Sequence, residues 1–284
     1  MFFDSHAHLN FKAFKDDYRQ VVKRCQENNV WLINAGSQYE TSRRAVEIAE
    51  EFKQGVWAAV GLHPIYVDDK DFDFQKYLTL AKSSPKVVAV GETGLDYYHG
   101  PESKTKQKEI FLKHLELAQE LKKPVIIHCR LAHEDLIEIL KPKTYSPRFA
   151  GEAGNLKPNL KGVIHCFTGN QQQAEKYLEM GFYLGFTGII TYSSEYDEII
   201  KTLPLEKILI ETDSPYLTPL NTQTNAEKSQ RESVSSPRQS AFIRNEPLYV
   251  KYVAEKIAAI HGLSLEIIAK QTTSNALKLF GIML

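Results

Sequence analysis

The sequence predicts one α/β domain, a (β/α)8 TIM-like barrel over residues 1–284. Three observations favour this fold: eight short apolar runs recur along the chain, amphipathic helical patterns separate them, and residues of the metal-ligating types follow the runs. A chain of 284 residues is long for an ordinary domain, but α/β barrels reach this size around a single core.

The eight apolar runs are the predicted strands. They are rich in Val and Ile and lack polar alternation, which is typical of parallel strands that are buried on both faces. In chain order they read FFD, VWLINAG, VWAAVGLHP, KVVAVGE, PVIIHC, GVIHCF, FYLGFTG and ILIETD. A doubly wound open sheet would give a similar string of elements, so the residues at the strand ends have to decide between the two folds.

Two helical patterns between the strands are clear. The segment KTKQKEIFLKHLELAQELKK places apolar residues and His114 at spacings of three and four, and Pro124 is expected to end this helix. Since His114 lies on the apolar stripe, we expect it to be a packing residue. An N-terminal pattern has one buried face formed by Tyr18, Val21, Val22 and Cys25. Three further histidines are expected to be structural: His99, His133 and His261.

The composition excludes several classes of function. Lys plus Arg and Asp plus Glu both number 35, so the chain lacks the broad basic field of a protein that coats nucleic acid or anionic membrane. Three cysteines without a CxxC pair argue against a disulfide framework and indicate a reducing, cytoplasmic location. The sequence has no signal peptide and no apolar stretch near the ~20 residues of a membrane helix. We therefore expect no membrane partner and no obligate protein partner.

Residues that ligate metals lie at the predicted carboxyl ends of the strands. Barrel enzymes carry their catalytic groups there, and closure of the barrel brings these groups together, whereas an open sheet would spread them along one edge. Five of the nine histidines lie at such ends, together with two acidic residues. The set comprises His6, His8, His63, Glu92, His128, His165 and Asp213.

These residue types point to a centre with two divalent metals. Side chains alternate along a strand, so His6 and His8 point the same way. Six of these seven imidazole and carboxylate groups already exceed the three or four protein ligands of one catalytic zinc. A shared carboxylate would hold two metals ~3.5 to 4 Å apart, the spacing that stabilises a phosphoryl displacement, and Glu92 is the candidate bridge. Asp213 is the candidate to take the proton from the attacking water. The ligand types allow zinc, magnesium or manganese.

Eight segments closely resemble, in order and spacing, the TatD family of metal-dependent deoxyribonucleases in the amidohydrolase superfamily. They are DSHAHLN, GLHP, VGETGLDYY, VIIHCRLAHEDL, GVIHCFTGN, YLGFTGII, ILIETDSPYLTP and RNEP, and together they cover almost the whole chain. The resemblance implies a distorted barrel with two metal sites and with His63 as a further active-site histidine that is not counted as a ligand. The implied ligands are His6, His8, Glu92 and Asp213 for one metal and Glu92, His128 and His165 for the second.

The function that this resemblance implies is hydrolysis of DNA phosphodiester bonds, with removal of nucleotides from the 3′ end. The alternative is a D-aminoacyl-tRNA deacylase or another metal-dependent ester or amide hydrolase of the same superfamily. RNA and aminoacyl-tRNA are accordingly further candidate substrates. A non-catalytic barrel that only binds a ligand is disfavoured, because every ligand position is kept.

Two arginines are candidate substrate-binding residues. Arg130 lies two residues past His128 and should point back toward the site. There it can either grip a phosphate bidentately or pair with Glu211 in the interior. Arg244, in the RNEP motif, is the second candidate, and its neighbour Asn245 is expected to cap the following helix.

The sequence also predicts the direction of two thiols and the positions of two enlarged loops. Cys129 and Cys166 each follow a predicted ligand histidine, and strand alternation predicts that their thiols point away from the metals. The first loop, residues 141–161, follows a helix and should lie on the face opposite the site. The second, residues 220–243, follows the last strand, so we expect a mobile polar loop on the catalytic face.

Overall fold

The computed structural model describes residues 1–141, 160–220, 222 and 244–283. Within these residues eight parallel strands form one sheet in the order β1 to β8. The strands are β1 (Phe2–Ala7), β2 (Val30–Ala35), β3 (Val56–Val60), β4 (Val87–Asp96), β5 (Val125–Arg130), β6 (Gly162–Ile164), β7 (Tyr183–Phe186) and β8 (Ile208–Ile210). Each strand overlaps a predicted apolar run, and β1, β4 and β5 extend past the end of theirs. A doubly wound sheet would reverse its strand order at one point, so the observed order confirms the barrel.

The barrel closes where the segment after β8 meets β1. The backbone N–H of Asp213 donates to the carbonyl of His6 at 2.9 Å, and the N–H of His8 donates to the carbonyl of Ser214 at 2.8 Å. The strands are uneven, since β4 has ten residues while β6 and β8 have three each, and this agrees with the distorted barrel predicted from the resemblance. Closure of the barrel therefore places Asp213 beside the first two histidines.

Helices pack around the outside of the strands. They are α1 (Tyr18–Glu27), α2 (Tyr39–Glu51), α3 (Phe74–Lys82), α4 (Lys104–Leu121), α5 (His133–Leu140), α6 (Gln171–Glu179), α7 (Asp197–Thr202), α8 (Val250–His261) and α9 (Leu265–Phe280). The four residues predicted for the buried face of α1 are the four that it buries. Helix α4 ends before Pro124 for a different reason than predicted. Lys122 adopts a left-handed conformation, with φ +53°, and its N–H bonds the carbonyls of Ala118 and Gln119.

Two apolar clusters stabilise the fold. The larger one lies between the strands and the surrounding helices. The smaller one contains at least one residue from each strand and therefore fills the barrel interior, where it packs against the C-terminal helix α9. Phe3 of β1 stacks on Trp57 and on Phe280, with ring centroids 5.7 and 6.4 Å away. This packing fills the amino end of the barrel interior, and the polar strand-end residues lie at the opposite, carboxyl end.

His114 is a packing residue, as predicted. Its side chain is completely buried in α4, its Nδ1 lies 2.8 Å from the carbonyl of Ile110, and its Nε2 accepts the N–H of Leu62 at 2.9 Å. The ring must therefore carry its proton on Nδ1 and stay neutral. Burial lowers the pKa of His114 from 6.5 to about 4.

We expect His114 to make the stability of the metal-free protein depend on pH. Its pKa is lowered in the folded state, so its contribution is complete above pH 6.5 and is lost as the pH falls toward 4. The free energy of unfolding should fall by about 3 kcal/mol over that range from this residue alone. Urea titrations at a series of pH values should show His114→Gln, which keeps an acceptor for Leu62, losing less stability than the wild type. Equal losses in the two proteins would contradict this role.

In the part of the chain that the structure describes, no helix is long and apolar enough to cross a membrane. The two predicted enlarged loops fall largely outside the described residues. Of residues 141–161 only 141, 160 and 161 are described, and of residues 220–243 only 220 and 222. The expectations for these loops stay predictions.

Candidate metal centre

The seven residues predicted at the strand ends converge at the carboxyl end of the barrel. His6, Glu92 and His128 lie in strands, while the other four follow a strand by one to three residues. Six of the seven, all except His6, line a cavity of about 750 Å³ that opens to solvent. The set is buried, with Asp213 and His128 keeping the most exposed side chains at 18%. Barrel closure has thus collected seven residues from the ends of six strands.

Glu92 lies at the middle of this group. Its Oε2 faces His6 and His8, whose Nε2 atoms lie 3.3 and 3.6 Å away. Its Oε1 faces the other side of the centre, with His63 Nε2 at 3.3 Å, His128 Nδ1 at 3.2 Å and His165 Nε2 at 3.8 Å. The two oxygens of one carboxylate therefore serve two separate sets of imidazoles.

Asp213 completes the first set. Its Oδ1 lies 3.3 Å from His8 Nε2 and 3.8 Å from both His6 Nε2 and His165 Nε2. Asp213 has a left-handed backbone with φ +55°, which is uncommon for a residue other than glycine. The side chain thus depends on the fold around it for its direction.

Three of the histidines have their outer ring nitrogen close to an acceptor, with a hydrogen bond in His8 and His128 and a close approach without hydrogen-bond geometry in His165. The pairs are His8 Nδ1 with the Ala35 carbonyl at 2.9 Å, His128 Nε2 with Asp96 Oδ2 at 3.0 Å, and His165 Nδ1 with Glu211 Oε1 at 2.8 Å. Such an acceptor keeps the proton on the outer nitrogen, so the inner nitrogen presents a lone pair. The three inner nitrogens all point toward the carboxylates of Glu92 and Asp213.

His63 has the opposite arrangement. Its Nδ1 accepts the backbone N–H of Ile65 at 3.2 Å, so the neutral ring carries its proton on Nε2, which faces Glu92 Oε1. A protonated ring nitrogen donates a hydrogen bond and cannot bind a metal. This arrangement favours the predicted role of His63 as an active-site residue outside the ligand set.

The geometry and the donor types fit divalent metals. Three groups of residues could each share one ion, because within each group the ligand atoms all lie within 4.8 Å of one another. The groups are His6, His8 and Asp213; His6, Glu92 and His165; and His63, Glu92 and His128. The Nε2 atoms of His6 and His8 lie only 3.0 Å apart in a buried setting, and His6 Nδ1 has no hydrogen-bond partner among the described residues. Two lone pairs at that distance repel each other unless a proton or a cation lies between them, so the site suits a bound cation.

Both central carboxylates are ionised at neutral pH. Burial disfavours the charged form of Glu92, but His63 and His6 outweigh burial and hold the pKa of Glu92 well below its usual range. Burial also opposes ionisation of Asp213, and the hydrogen bond with His8 and the charge of His165 again lower its pKa. The two residues are therefore available as anionic ligands.

Two polar residues outside the predicted centre support the segment after β8, and the first of them also ties it to β1. Asp4 is buried and accepts the N–H of His6 at 3.1 Å and the N–H and hydroxyl of Thr212 at 2.9 and 2.6 Å. Asn245 donates from Nδ2 to the Thr212 carbonyl at 2.9 Å. The prediction that Asn245 caps a helix is therefore wrong, because its side chain supports the segment that carries Asp213.

The two candidate substrate arginines differ in their surroundings. Arg130 is exposed, lines the cavity, and stacks its guanidinium 4.0 Å from the ring centroid of Tyr98. It is not the buried partner of Glu211, and that alternative is wrong. Arg244 donates to Asp17 at 2.8 and 2.6 Å and also pairs with Glu246 at 3.0 Å, and it does not line the cavity. A substrate role for Arg244 stays a prediction that would require these bonds to break.

Glu211 holds His165 in place. Besides His165, it accepts the backbone N–H of Cys166 at 2.5 Å and the hydroxyl of Ser5 at 3.0 Å, and it is completely buried. A Cβ at Gly185 would lie 2.6 Å from Glu211 Oε1, so only glycine leaves room for the carboxylate. Neither the contact of Glu211 with His165 nor the need for glycine at position 185 was predicted, although Glu211 precedes Asp213 by two residues.

We expect Glu211→Gln to weaken metal binding about 10- to 100-fold, because an amide lacks the negative charge that makes the His165 ring a better donor. Competition with a chelator of known affinity, followed by metal analysis, measures this effect. Glu51→Gln is the matched control, since Glu51 pairs with Tyr18 and Arg19 on the outer surface. Unchanged affinity in Glu211→Gln would show that the carboxylate does not act on the metal centre.

Asp96 and His99 also belong to the site and were not predicted. Asp96 Oδ2 contacts His128 Nε2 at 3.0 Å and His99 Nδ1 at 2.9 Å, and both histidines and Asp96 line the cavity. The structure gives His99 a partner, Asp96, and a place in the cavity wall, and the expectation that it is structural stays a prediction. The available signal was the position of Asp96 at the end of β4 in the GETGLDYY motif.

The thiols stay out of the metal groups, but strand alternation explains only one of them. Cys129 lies in β5 with its Sγ 3.4 Å from His133 Nδ1, and burial raises its pKa to about 12. Cys166 lies beyond the end of β6, has φ +45°, and places its Sγ 3.4 Å from Thr187 Oγ1. Among the described residues, none of the candidate metal groups includes a cysteine.

Buried imidazoles and carboxylates that meet at the carboxyl end of a parallel barrel are the centre of a metal-dependent hydrolase, and this is the class that the fold and the site define. The family model described as TatD related DNase matches residues 3–281. The chain therefore belongs to the TatD-related DNase family, as the motifs predicted.

Relatives of the chain align over nearly its full length. An uncharacterised metal-dependent hydrolase of Bacillus subtilis (strain 168) is 37% identical and covers 99% of this chain and 100% of its own. A protein of Pantoea ananatis named 3′-5′ ssDNA/RNA exonuclease TatD is 31% identical, with 99% of each chain covered. The crystal structure of a TatD homologue from Escherichia coli K12 superposes with a TM-score of 0.81 at 27% identity, over 99% of this chain and 98% of that one.

Proposed function

We propose that this hydrolase uses two divalent metals to remove nucleotides from the 3′ ends of single-stranded DNA. The observation that carries the proposal is the division of Glu92 between two sets of imidazoles, which suits a carboxylate shared by two metals. The relative from Pantoea ananatis, named as a 3′-5′ ssDNA/RNA exonuclease, supports the choice of substrate and direction.

The two metal sites divide the ligands as follows. His6, His8, Asp213 and Glu92 would hold one metal, and Glu92, His128 and His165 would hold the second. When bound, two divalent metals lower the pKa of the attacking water and neutralise the charge that develops on the phosphate. The metal is zinc, magnesium or manganese, since imidazoles favour zinc and carboxylates with a phosphate also accept the other two.

Three residues act on the substrate in this proposal. Asp213 takes the proton of the attacking water, because its carboxylate is ionised and opens to the cavity. His63 donates its Nε2 proton to a phosphate oxygen. Arg130 binds the phosphate, and no described carboxylate pairs with its guanidinium.

The rim of the cavity suits a single strand. Tyr98 beside Arg130 is 57% exposed, and Tyr216 in the cavity wall is 55% exposed. Exposed aromatic rings stack on unpaired bases, whereas the bases of a duplex are already stacked on one another. Since the net charge of the chain is zero, binding depends on these local contacts more than on a broad basic surface.

The decisive experiment uses metal-stripped protein with magnesium, manganese or zinc added back. Single-stranded DNA and RNA labelled at either end, and D-aminoacyl-tRNA, are assayed with one preparation. We expect single nucleotides to leave the 3′ end, so that a 5′ label stays on a ladder of shortened strands. Release of a D-amino acid without cleavage of the nucleic acid would overturn the proposal in favour of the deacylase, and hydrolysis of none of these substrates would overturn both.

A further inference from the structure

A second cavity lies directly beside the catalytic one. It has a volume of about 700 Å³ and shares three residues with the catalytic cavity: Leu131, His133 and Thr168. None of the residues proposed as metal ligands lines it. The segments that follow β5, β6 and β7, including the first turns of α5, α6 and α7, form most of its walls, so it opens on the same face of the barrel.

Leu131 stands on the boundary between the two cavities. Its side chain is 72% exposed, and its backbone is left-handed with φ +54°. Exposure of a leucine gives up favourable burial, and the left-handed region is unfavourable for any residue with a Cβ. Both of these unfavourable free energies fall on Leu131. This residue lies between two cavities, next to Arg130 and the exposed ring of Tyr98. Such strain at a cavity edge points to a function.

The chemistry of the second cavity differs from that of the metal centre. No lysine or arginine lines it, and its walls carry Thr168, Asn170 and three acidic residues: Glu134, Asp135 and Glu195. Two of these acids are paired with lysines that do not line the cavity, Asp135 with Lys108 at 2.8 Å and Glu134 with Lys176 at 3.9 Å. The walls therefore offer a phosphate no cation, while their amide, hydroxyl and carboxylate groups can pair with uncharged donors and acceptors. The group that matches this cavity and still belongs to a nucleic acid is a nucleobase.

We propose that the second cavity binds the base of the neighbouring nucleotide and that Leu131 is a wedge between this base and the terminal nucleotide. The proposal rests on the proposed nuclease function. Apolar side chains that insert between bases unstack them, and a single strand resists this far less than a duplex. The scissile phosphate then lies at the metal centre, and the strand is bent over Leu131.

The test compares two substrates and four proteins. A short oligothymidylate occupies both cavities, whereas thymidine 5′-(p-nitrophenyl phosphate) has only one base. Leu131→Gly removes the wedge and relieves the left-handed strain, so the variant should fold. Leu131→Met restores an apolar side chain of similar reach. Leu263→Ala is the matched control, since Leu263 is a partly exposed leucine in the turn between α8 and α9.

We expect Leu131→Gly to raise KM for the oligonucleotide about tenfold, the order of one lost stacking contact. The ratio of kcat/KM for the oligonucleotide to that for the single-base diester should fall by the same factor. Leu131→Met should recover most of this ratio, and Leu263→Ala should match the wild type.

Three outcomes would overturn the wedge. If the wild type cleaves the oligonucleotide and Leu131→Gly keeps the wild-type ratio, the wedge fails while the nuclease function stands. If Leu131→Gly loses activity on both substrates equally, Leu131 supports the metal centre and does not separate bases. If the wild type hydrolyses the single-base diester but no oligonucleotide, the proposed nuclease function fails and the wedge fails with it.

Discussion

Replacement of Glu92 by glutamine should lower kcat by about a thousandfold or more, with several kcal/mol of transition-state stabilisation lost. Glutamine keeps the shape of the side chain but removes the negative charge that faces both sets of imidazoles, at 3.2 and 3.3 Å. Steady-state kinetics on single-stranded DNA, with metal analysis of each variant, measures the effect. We expect the metal content of Glu92→Gln to fall as well, because both sets depend on this carboxylate.

The cysteine variants are the matched comparison. Cys129→Ser and Cys166→Ser should keep kcat within a few-fold of the wild type per folded molecule, since their thiols contact His133 and Thr187 and no ligand group among the described residues includes them. A thiolate bound to the metal, seen by X-ray absorption, would contradict this assignment. Full activity of Glu92→Gln would contradict the shared carboxylate.

Complete removal of divalent metal should abolish hydrolysis, and addition of metal should restore it. Among the residues at the strand ends, no group other than a metal is placed to activate water as strongly, so no slower route is expected to survive. Metal should also stabilise the fold, because it binds the assembled site and not the unfolded chain. At a free metal concentration of about a hundredfold Kd, the gain is about 3 kcal/mol for each site.

Activity assays after exhaustive chelation and thermal melts with and without metal test these two expectations. Turnover that persists in metal-free protein would show that the nucleophile has another activator. A melting temperature that does not change with metal, in a protein that binds metal, would show that the centre is formed equally well in the unfolded chain.

Much of the fold was predictable because strand runs and helix stripes are local patterns. The eight apolar runs correspond to eight strands, and the stripe through Tyr18 and Cys25 is the buried face of α1. The position at which α4 ends was predictable from Pro124. The cause was not, because the helix ends at the left-handed conformation of Lys122, which no residue type in the sequence signals. The convergence of the candidate ligands followed from barrel topology, which places all strand ends on one face.

The residues that hold the ligands in place were not predictable. Asp96 orients His128, Glu211 orients His165, and Asp4 ties the strand of His6 to the segment of Asp213. Each of these contacts joins residues that are 32 to 208 positions apart in the sequence, and some of these residues lie past the end of a strand. Past a strand end alternation no longer applies, and for this reason it gave no reliable direction for Cys166.

The sequence by itself determined the class of fold and the identity of the groups that can bind metal, because the order of residues sets both the periodicity and the available donor atoms. The tertiary structure decided which nitrogen of each imidazole faces inward, that Arg130 and not Arg244 lines the cavity, and that Leu131 divides two cavities. These properties depend on the distance between atoms that only barrel closure brings together. No local pattern in the chain encodes such distances.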